Sequence, residues 1–110
     1  MPGTDASKKV SAGILGYMVH DDHTRLILGR EQYVKGWSGS LKWSEFGGQA
    51  KAEDGGDAVR TAAREFFEET LGVFGDREPD LRSCAYNFRV TIKRSGRRHE
   101  CTKVLYVLQV

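Results

Sequence analysis

One segment of this chain has the apolar spacing of an α-helix, and the segments on both sides of it have the spacing of β-strands. The helix is predicted to begin after Asp57, a good N-cap, and to run through AVRTAAREFFEETL until Gly72, about four turns. It is the one convincing helix in the sequence. The rest of the core must therefore come from strands, which predicts an α+β fold.

Four regions have strand patterns. VSAGILGYMV and RLILG are predicted to form a hairpin around HDDHT, and KWSEF a short strand that stops at Gly47-Gly48. A third region alternates as a half-buried strand through Tyr86, Phe88, Val90 and Ile92. The last, KVLYVLQV, is apolar on both faces and is expected at the centre of a sheet. Residues 30–42 and the segment GDREPD are expected to be loops.

Composition limits the class of protein. With 39% hydrophobic and 29% charged residues in 110, the chain predicts one globular domain over residues 10–110, preceded by a flexible tail over residues 1–9. No apolar run approaches the ~20 residues of a membrane helix, and the N-terminus lacks a secretory signal, so we expect a cytoplasmic or other intracellular location and no membrane partner. Cys84 and Cys101 are expected to be reduced packing thiols.

The net charge of +2 is unevenly distributed. Residues 53–80 carry nine acids and three bases, whereas residues 82–103 carry seven bases and one acid. Such a domain could hold a cation next to a polyanion, and a set of solvated surface charges is the alternative. Part of the basic segment flanks a predicted hairpin turn at Ser95-Gly96 and could meet phosphates or nucleic acid: Arg94, Arg97 and Arg98.

Aromatic residues near the chain's middle are candidates for base stacking. Trp37 lies in a loop rich in Gly and Ser and could stack on a base, with Tyr33 as a weaker candidate. Packing in the core is the alternative for both. Trp43, on the strand before Gly47, is predicted to belong to the core.

Three glutamates of the predicted helix, Glu65, Glu68 and Glu69, lie within an arc of about 100°. They repel one another by a few tenths of a kcal/mol per pair, so helix stability does not explain their spacing. A hard divalent cation such as Mg2+ takes oxygen ligands, and carboxylates at these positions can converge on it. Arg64 can reach Glu68 one turn later and hold it in place. A solvated acidic helix face is the alternative.

This helix and the segment before it resemble the Nudix hydrolase signature. The core AAREFFEETLG matches the signature's run of Arg-Glu, a hydrophobic residue, any residue and Glu-Glu without a gap, and WSEFGG resembles the strand and double glycine that lead into it. The resemblance covers most of the chain. It implies an α/β/α sandwich with a mixed sheet and with the glutamate helix against one face.

The chain departs from that signature at three places. Eight residues before Arg64 the signature has a glutamate and this chain has Gly56, with carboxylates nearby at Glu53, Asp54 and Asp57. Leu71 is interposed before Gly72, and the distance from Gly48 to Arg64 is two residues longer. We expect the altered loop to leave the ligands in place, and the missing glutamate to affect efficiency more than fold.

The resemblance implies hydrolysis of a pyrophosphate bond in a nucleoside diphosphate linked to another group, with Mg2+ or Mn2+ as cofactor. Its catalytic set would be Arg64, Glu65, Glu68 and Glu69, with Gly48 joining the three glutamates as a metal ligand. The substrate would be a nucleotide-type polyphosphate bound through Arg94, Arg97, Arg98 and Trp37, with RNA as a second candidate.

Gly56 and the basic hairpin motivate an alternative from a different class. The chain would then be a non-catalytic Nudix-like module that binds a nucleotide, RNA or a protein partner, or a structural subunit of an assembly.

The resemblance also implies a further strand and helix after KVLYVLQV, so we expect a domain incomplete at its C-terminus. One helix cannot cover both faces of a sheet. The uncovered apolar face would promote a homodimer or a partner that completes the sheet.

Overall fold

The computed structural model describes residues 8–84, 86–93 and 100–110. Strands and two helices follow one another in the order β1 Lys8–His20, β2 His23–Ile27, β3 Gly29–Arg30, β4 Trp43–Ser44, β5 Phe46–Gln49, α1 Ala58–Glu69, α2 Glu78–Arg82, β6 Asn87–Lys93 and β7 Glu100–Gln109. A 3-10 turn at Ala52–Asp54 precedes α1. None of the helices in this part of the chain has the length and apolarity to cross a membrane.

The main sheet is mixed and has the order β2-β1-β7-β6. Strand β7 lies parallel to β1 and antiparallel to β6, so the expected central position of the last strand is confirmed. The edge of β1 opposite β7 pairs with β2 through residues 16–20 and with β5 through residues 11–14, and both pairings are antiparallel. Strands β3 and β4 form a separate short ribbon. These pairings place β5, with its two glycines, beside the first half of β1.

Helix α1 covers one face of the sheet. Its buried side chains are Thr61, Ala62, Ala63 and Phe66, and they pack on the face of β1 and β7 that carries Ala12, Ile14, Val104, Tyr106 and Leu108. Phe66 lies at the centre, with ring centroids 5.6 Å from Phe46 and 5.5 Å from Phe74. Helix α2 adds Leu81 to the same core. The next residue, Phe67, does not belong to this core, because its side chain is half-exposed.

The opposite face of the sheet carries apolar side chains that the described elements leave uncovered. The register pairs Phe88 with Leu105 and Val90 with Lys103 on this face. Phe88 is 60% exposed and Val90 53% exposed. The strand prediction for this segment is therefore confirmed, whereas its predicted half-burial is wrong, because both helices of the described residues pack on the other face. The result is an α+β fold with a mixed sheet in two layers.

Other local predictions are wrong where tertiary contacts determine the local structure. Strand β5 runs through Gly47-Gly48 instead of stopping there, because both residues pair with β1. Helix α2 begins within the segment predicted to be a polar loop, GDREPD, and Pro79 in its first turn favours it. Strand β1 begins at Lys8, inside the predicted tail. The hairpin and its polar turn are confirmed.

The two cysteines differ in surroundings. Both are free thiols. The Cys84 sulfhydryl lies 3.0 Å from the Val107 carbonyl oxygen and is half-buried, as expected of a packing thiol. Cys101 is exposed, so the same expectation is wrong for it.

Candidate functional site

Arg64 is the centre of an ionic cluster at the start of the glutamate segment. Its Nε donates to Asp54 Oδ1 at 3.0 Å, and its Nη2 donates to Asp54 Oδ2 at 2.9 Å. Its Nη1 donates to Glu65 Oε1 at 2.9 Å and to Glu68 Oε2 at 3.4 Å. A further bond from Nη2 reaches the Gln49 carbonyl of β5 at 3.2 Å. The predicted contact between Arg64 and Glu68 is confirmed, and Arg64 also joins the helix to the loop and the sheet.

Asp54 is the buried member of this cluster, with 3% of its surface exposed. Besides Arg64 it accepts hydrogen bonds from Thr61 Oγ1 at 2.8 Å and from the Lys51 amide at 2.9 Å. The Arg64 guanidinium holds the pKa of the Asp54 carboxyl well below its usual range, and Asp54 in turn raises the pKa of Arg64. Both members of the pair are therefore ionised at neutral pH.

Sequence reasoning noted Asp54 as a nearby carboxylate but gave it no role, because it looked for the carboxylate at the position of Gly56. Gly55 and Gly56 both have left-handed backbone, with φ of 64° and 77°. They carry the chain from the 3-10 turn to the Asp57 cap of α1, where the Asp57 side chain accepts from the Val59 amide as predicted. The two extra residues between Gly48 and Arg64 were the available signal, because they let an earlier carboxylate fold back onto the helix.

Gly48 leaves the space that Glu65 occupies. A Cβ at Gly48 would lie 2.5 Å from Glu65 Cδ, so any side chain there would displace the carboxylate. Gly47 serves a different need, because a Cβ there would lie 2.8 Å from both the Ala12 carbonyl oxygen and Gly13 Cα of β1. The two glycines thus allow β5 to pair closely with β1 and leave room for the Glu65 side chain against β5.

Glu69 lies next to Glu65 and lines a cavity of about 450 Å3. Burial and the nearby carboxyl of Glu65 raise the pKa of Glu69 to about 7, with a further contribution from Glu31. Glu31 and Glu45 also line this cavity, together with Arg30 and Ser44. Sequence reasoning did not single out any of these lining residues. A bound cation would relieve the repulsion between carboxylates that are crowded in this way.

The structure divides the three predicted glutamate ligands. Glu65 and Glu69 lie together beside β5, while Glu68 is turned to Arg64 and its side chain is 52% exposed. No group of three acidic, His or Cys side chains in the described part of the chain converges as metal ligands. The donors still suit Mg2+, because this ion keeps several waters and commonly takes one or two carboxylates plus substrate phosphates. Glu65 and Glu69 beside Gly48 are such a pair.

The predicted substrate-binding residues are not brought to this site by the described structure. Arg94, Arg97 and Arg98 lie outside the described residues. Trp37 packs over Gly39 within its own loop, where a Cβ would overlap the indole. Trp43, predicted to be in the core, is 64% exposed because it lies on the β3–β4 ribbon and not in the main sheet.

Comparison with solved structures identifies the fold. The chain is similar to the NUDIX domain of Shewanella oneidensis NrtR complexed with ADP ribose, with a TM-score of 0.63 and 15% identity over 98% of this chain and 66% of that one. It is also similar to Shewanella oneidensis NrtR, with a TM-score of 0.57 and 16% identity over 89% of this chain and 41% of that one. A binary complex of C. elegans Ap4A hydrolase gives a TM-score of 0.57 and 17% identity over 93% of this chain and 67% of that one.

The chain therefore has the Nudix fold, as the resemblance implied. It spans between 41% and 67% of the length of these three structures. No family model matches the sequence, and a search of curated proteins finds no match.

Proposed function

We propose that this chain is a divalent-metal-dependent hydrolase that cleaves the pyrophosphate bond of a nucleoside diphosphate linked to another group. The observation that carries the proposal is the fixed position of Glu65, held by the Arg64–Asp54 pair on one side and by the bare backbone of Gly48 on the other. Two structural neighbours support it, because one was solved with ADP ribose and another is an Ap4A hydrolase.

The charge of the substrate explains why carboxylates lie at the reaction site. A pyrophosphate group is a polyanion, and it would be repelled by Glu65 and Glu69 unless cations lay between them. These two side chains are the ones that would hold Mg2+ or Mn2+. When bound, the ion would neutralise the phosphoryl oxygens and lower the pKa of the attacking water.

The chain's own residues then orient the reaction. Arg64 donates two hydrogen bonds to Asp54, so its remaining nitrogen keeps the Glu65 carboxylate in one position. Water attacks one phosphorus, and the bond from that phosphorus to the bridging oxygen breaks, so the bridging oxygen leaves with the second phosphate. A carboxylate of the Glu65–Glu69 pair accepts the proton that water loses. Asp54 and Arg64 are positioning residues in this scheme, because neither needs to touch the reacting atoms.

A substrate panel tests the proposal. The chain would be incubated with ADP ribose, dinucleoside polyphosphates, nucleotide sugars and nucleoside triphosphates, each with Mg2+ or Mn2+, and products separated by chromatography. We expect cleavage of at least one compound that EDTA abolishes and that Glu65→Gln removes. Glu78→Gln, which changes a half-exposed carboxylate on α2, is the matched control and should leave cleavage unchanged.

Tight binding of a nucleotide without turnover would overturn the enzyme proposal in favour of the non-catalytic module. Gly56 motivated that alternative, and Asp54 now supplies the carboxylate that Gly56 lacks. The predictions of an RNA ligand, a homodimer and a cytoplasmic location stay predictions.

A further inference from the structure

We propose that Arg30 and Trp43 form a nucleotide-binding subsite, in which Arg30 contacts a phosphate and the Trp43 indole stacks on the base. The ligand class is a nucleoside diphosphate group, not an inorganic phosphate alone. The proposal rests on the proposed function, because it takes the diphosphate to lie at Glu65 and Glu69.

The β3–β4 ribbon places the two side chains together. Arg30 and Trp43 are directly opposite in the antiparallel register, so they lie on the same face of the ribbon. The Arg30 guanidinium carbon lies 5.8 Å from the centroid of the indole, within the range of a cation–π contact. Arg30 Nε donates to the Leu41 carbonyl at 3.0 Å. The bond from Nε thereby holds the guanidinium beside the ring.

Arg30 is also the cationic side chain among the described residues that line the cavity containing Glu69. The carboxylates of that cavity have other partners, because Glu45 pairs with Lys103 and Glu31 accepts from Ser44 Oγ at 3.4 Å. Within the described ranges Arg30 has no carboxylate within ion-pair distance. A cation in this position suits an anion that enters next to the glutamates, and a phosphate group is such an anion.

The ribbon is rigid enough to present a stacking surface. Its connecting loop is closed by a bond from the Glu31 amide to the Lys42 carbonyl at 2.8 Å. Inside the loop the Ser40 hydroxyl accepts from the Val34 amide at 2.8 Å and donates to the Val34 carbonyl at 2.6 Å. Trp43 lies just beyond this closure, with most of its surface exposed. A fixed, exposed indole loses little conformational entropy when a base stacks on it.

The experiment separates the base from the phosphates. Dissociation constants in Mg2+ would be measured by calorimetry for α,β-methylene ADP and for methylenediphosphonate, which has the same two phosphorus groups and no nucleoside. We expect the unaltered chain to bind the nucleotide analogue at least about tenfold more tightly, since base stacking on an aromatic ring commonly contributes that much. Trp43→Ala should remove this difference and leave the affinity for methylenediphosphonate unchanged.

Matched variants isolate each residue. Arg30→Gln should weaken binding of both probes, because it removes a phosphate contact. Phe88→Ala removes an exposed aromatic ring on β6, at the other edge of the sheet from β5, and it should change neither affinity. Trp43→Leu keeps an apolar side chain without a ring and should behave as Trp43→Ala, which guards against a loss of folding.

Three results would overturn the subsite: equal affinity of the unaltered chain for the two probes, no binding of either probe, or the same loss with Phe88→Ala as with Trp43→Ala. Failure of the proposed function looks different. In that case the substrate panel would give no metal-dependent product while the nucleotide analogue still bound through Trp43.

Discussion

Asp54 and Arg64 form a two-point ion pair in which Nε lies 3.0 Å from Oδ1 and Nη2 lies 2.9 Å from Oδ2. The pair joins the 3-10 turn before the glutamate helix to the helix itself. Because two nitrogens of the guanidinium are fixed in this way, the third points at Glu65 and Glu68. The position of the proposed metal-binding carboxylate, Glu65, thus depends on a residue eleven positions earlier in the chain.

Replacing Asp54 should therefore lower turnover without removing any group that touches substrate. Asp54→Asn keeps the volume and one acceptor oxygen, but it removes the charge that orients Arg64. We expect kcat to fall about tenfold or more with KM little changed, as is typical of lost positioning. Initial rates over a range of substrate concentrations measure both constants.

Glu53→Gln is the control for this prediction. Glu53 lies 3.9 Å from Arg64 Nε, but its side chain is exposed and makes no close hydrogen bond to it. A surface pair of this kind contributes little. If Glu53→Gln lowered kcat as much as Asp54→Asn, general loss of negative charge would explain the effect and the positioning role would be wrong.

The same pair predicts how the chain responds to acid. The folded-state pKa of Asp54 lies below its ordinary value of 3.8, so at pH values between the two the unfolded chain binds more protons than the folded chain. The stabilisation is complete above about pH 5 and is lost as pH falls through 3.8 and below. Urea unfolding between pH 2 and 6 should show this decline, and Asp54→Asn should make it shallower. An unchanged slope in the variant would contradict the assignment.

The pKa shift of Glu69, and therefore its effect on stability as pH changes, has the opposite sign. Its folded-state pKa of about 7 exceeds the ordinary 4.5, so ionising it destabilises the metal-free fold as pH rises from 4.5 to 7. In EDTA, Glu69→Gln should therefore raise the melting temperature at pH 8 and change it little at pH 4. Glu68→Gln should leave it nearly unchanged at both, because the Glu68 side chain is half-exposed.

With Mg2+ present, Glu69→Gln should lose hydrolysis, and the unaltered chain should be stabilised by the ion more than Glu69→Gln is. Equal stabilisation by Mg2+ of the unaltered chain and Glu69→Gln would show that Glu69 does not hold the metal.

Local patterns predicted the parts of the fold that local forces decide. The Asp57 cap, the first hairpin and the central last strand follow from residue type and apolar spacing, and all three are confirmed. The link from Asp54 to Arg64 could not be predicted, because it depends on how two left-handed glycines fold the loop back.

The exposure of Phe88 and Trp43 could not be predicted from the sequence either. Alternation shows that a strand has an apolar face, and it does not show whether another element covers that face. For the same reason the sequence placed Trp43 in the core, although its strand pairs only with β3 in a separate ribbon.

The C-terminus of α1 holds a residue in an unfavourable conformation, and this leads to a prediction about stability. The Gly72 amide donates to the Phe67 carbonyl at 2.8 Å and the Leu71 amide to the Glu68 carbonyl at 3.2 Å, which is the Schellman arrangement. Leu71 occupies the left-handed position with φ of 54°, where glycine is usual and other residues cost about 1 kcal/mol or more. Its side chain is 89% exposed, so little apolar burial offsets this cost.

Leu71→Gly should therefore stabilise the chain. Relief of the left-handed strain is partly offset by the greater freedom of glycine in the unfolded chain, which leaves a gain of about 0.5–1 kcal/mol. For a domain of this size the melting temperature should rise by about 2–6 °C, measured by circular dichroism. Val73→Gly is the matched control, because Val73 is also exposed but lies outside the left-handed region. The control should lower the melting temperature, and an equal drop in both variants would show that Leu71 is not strained.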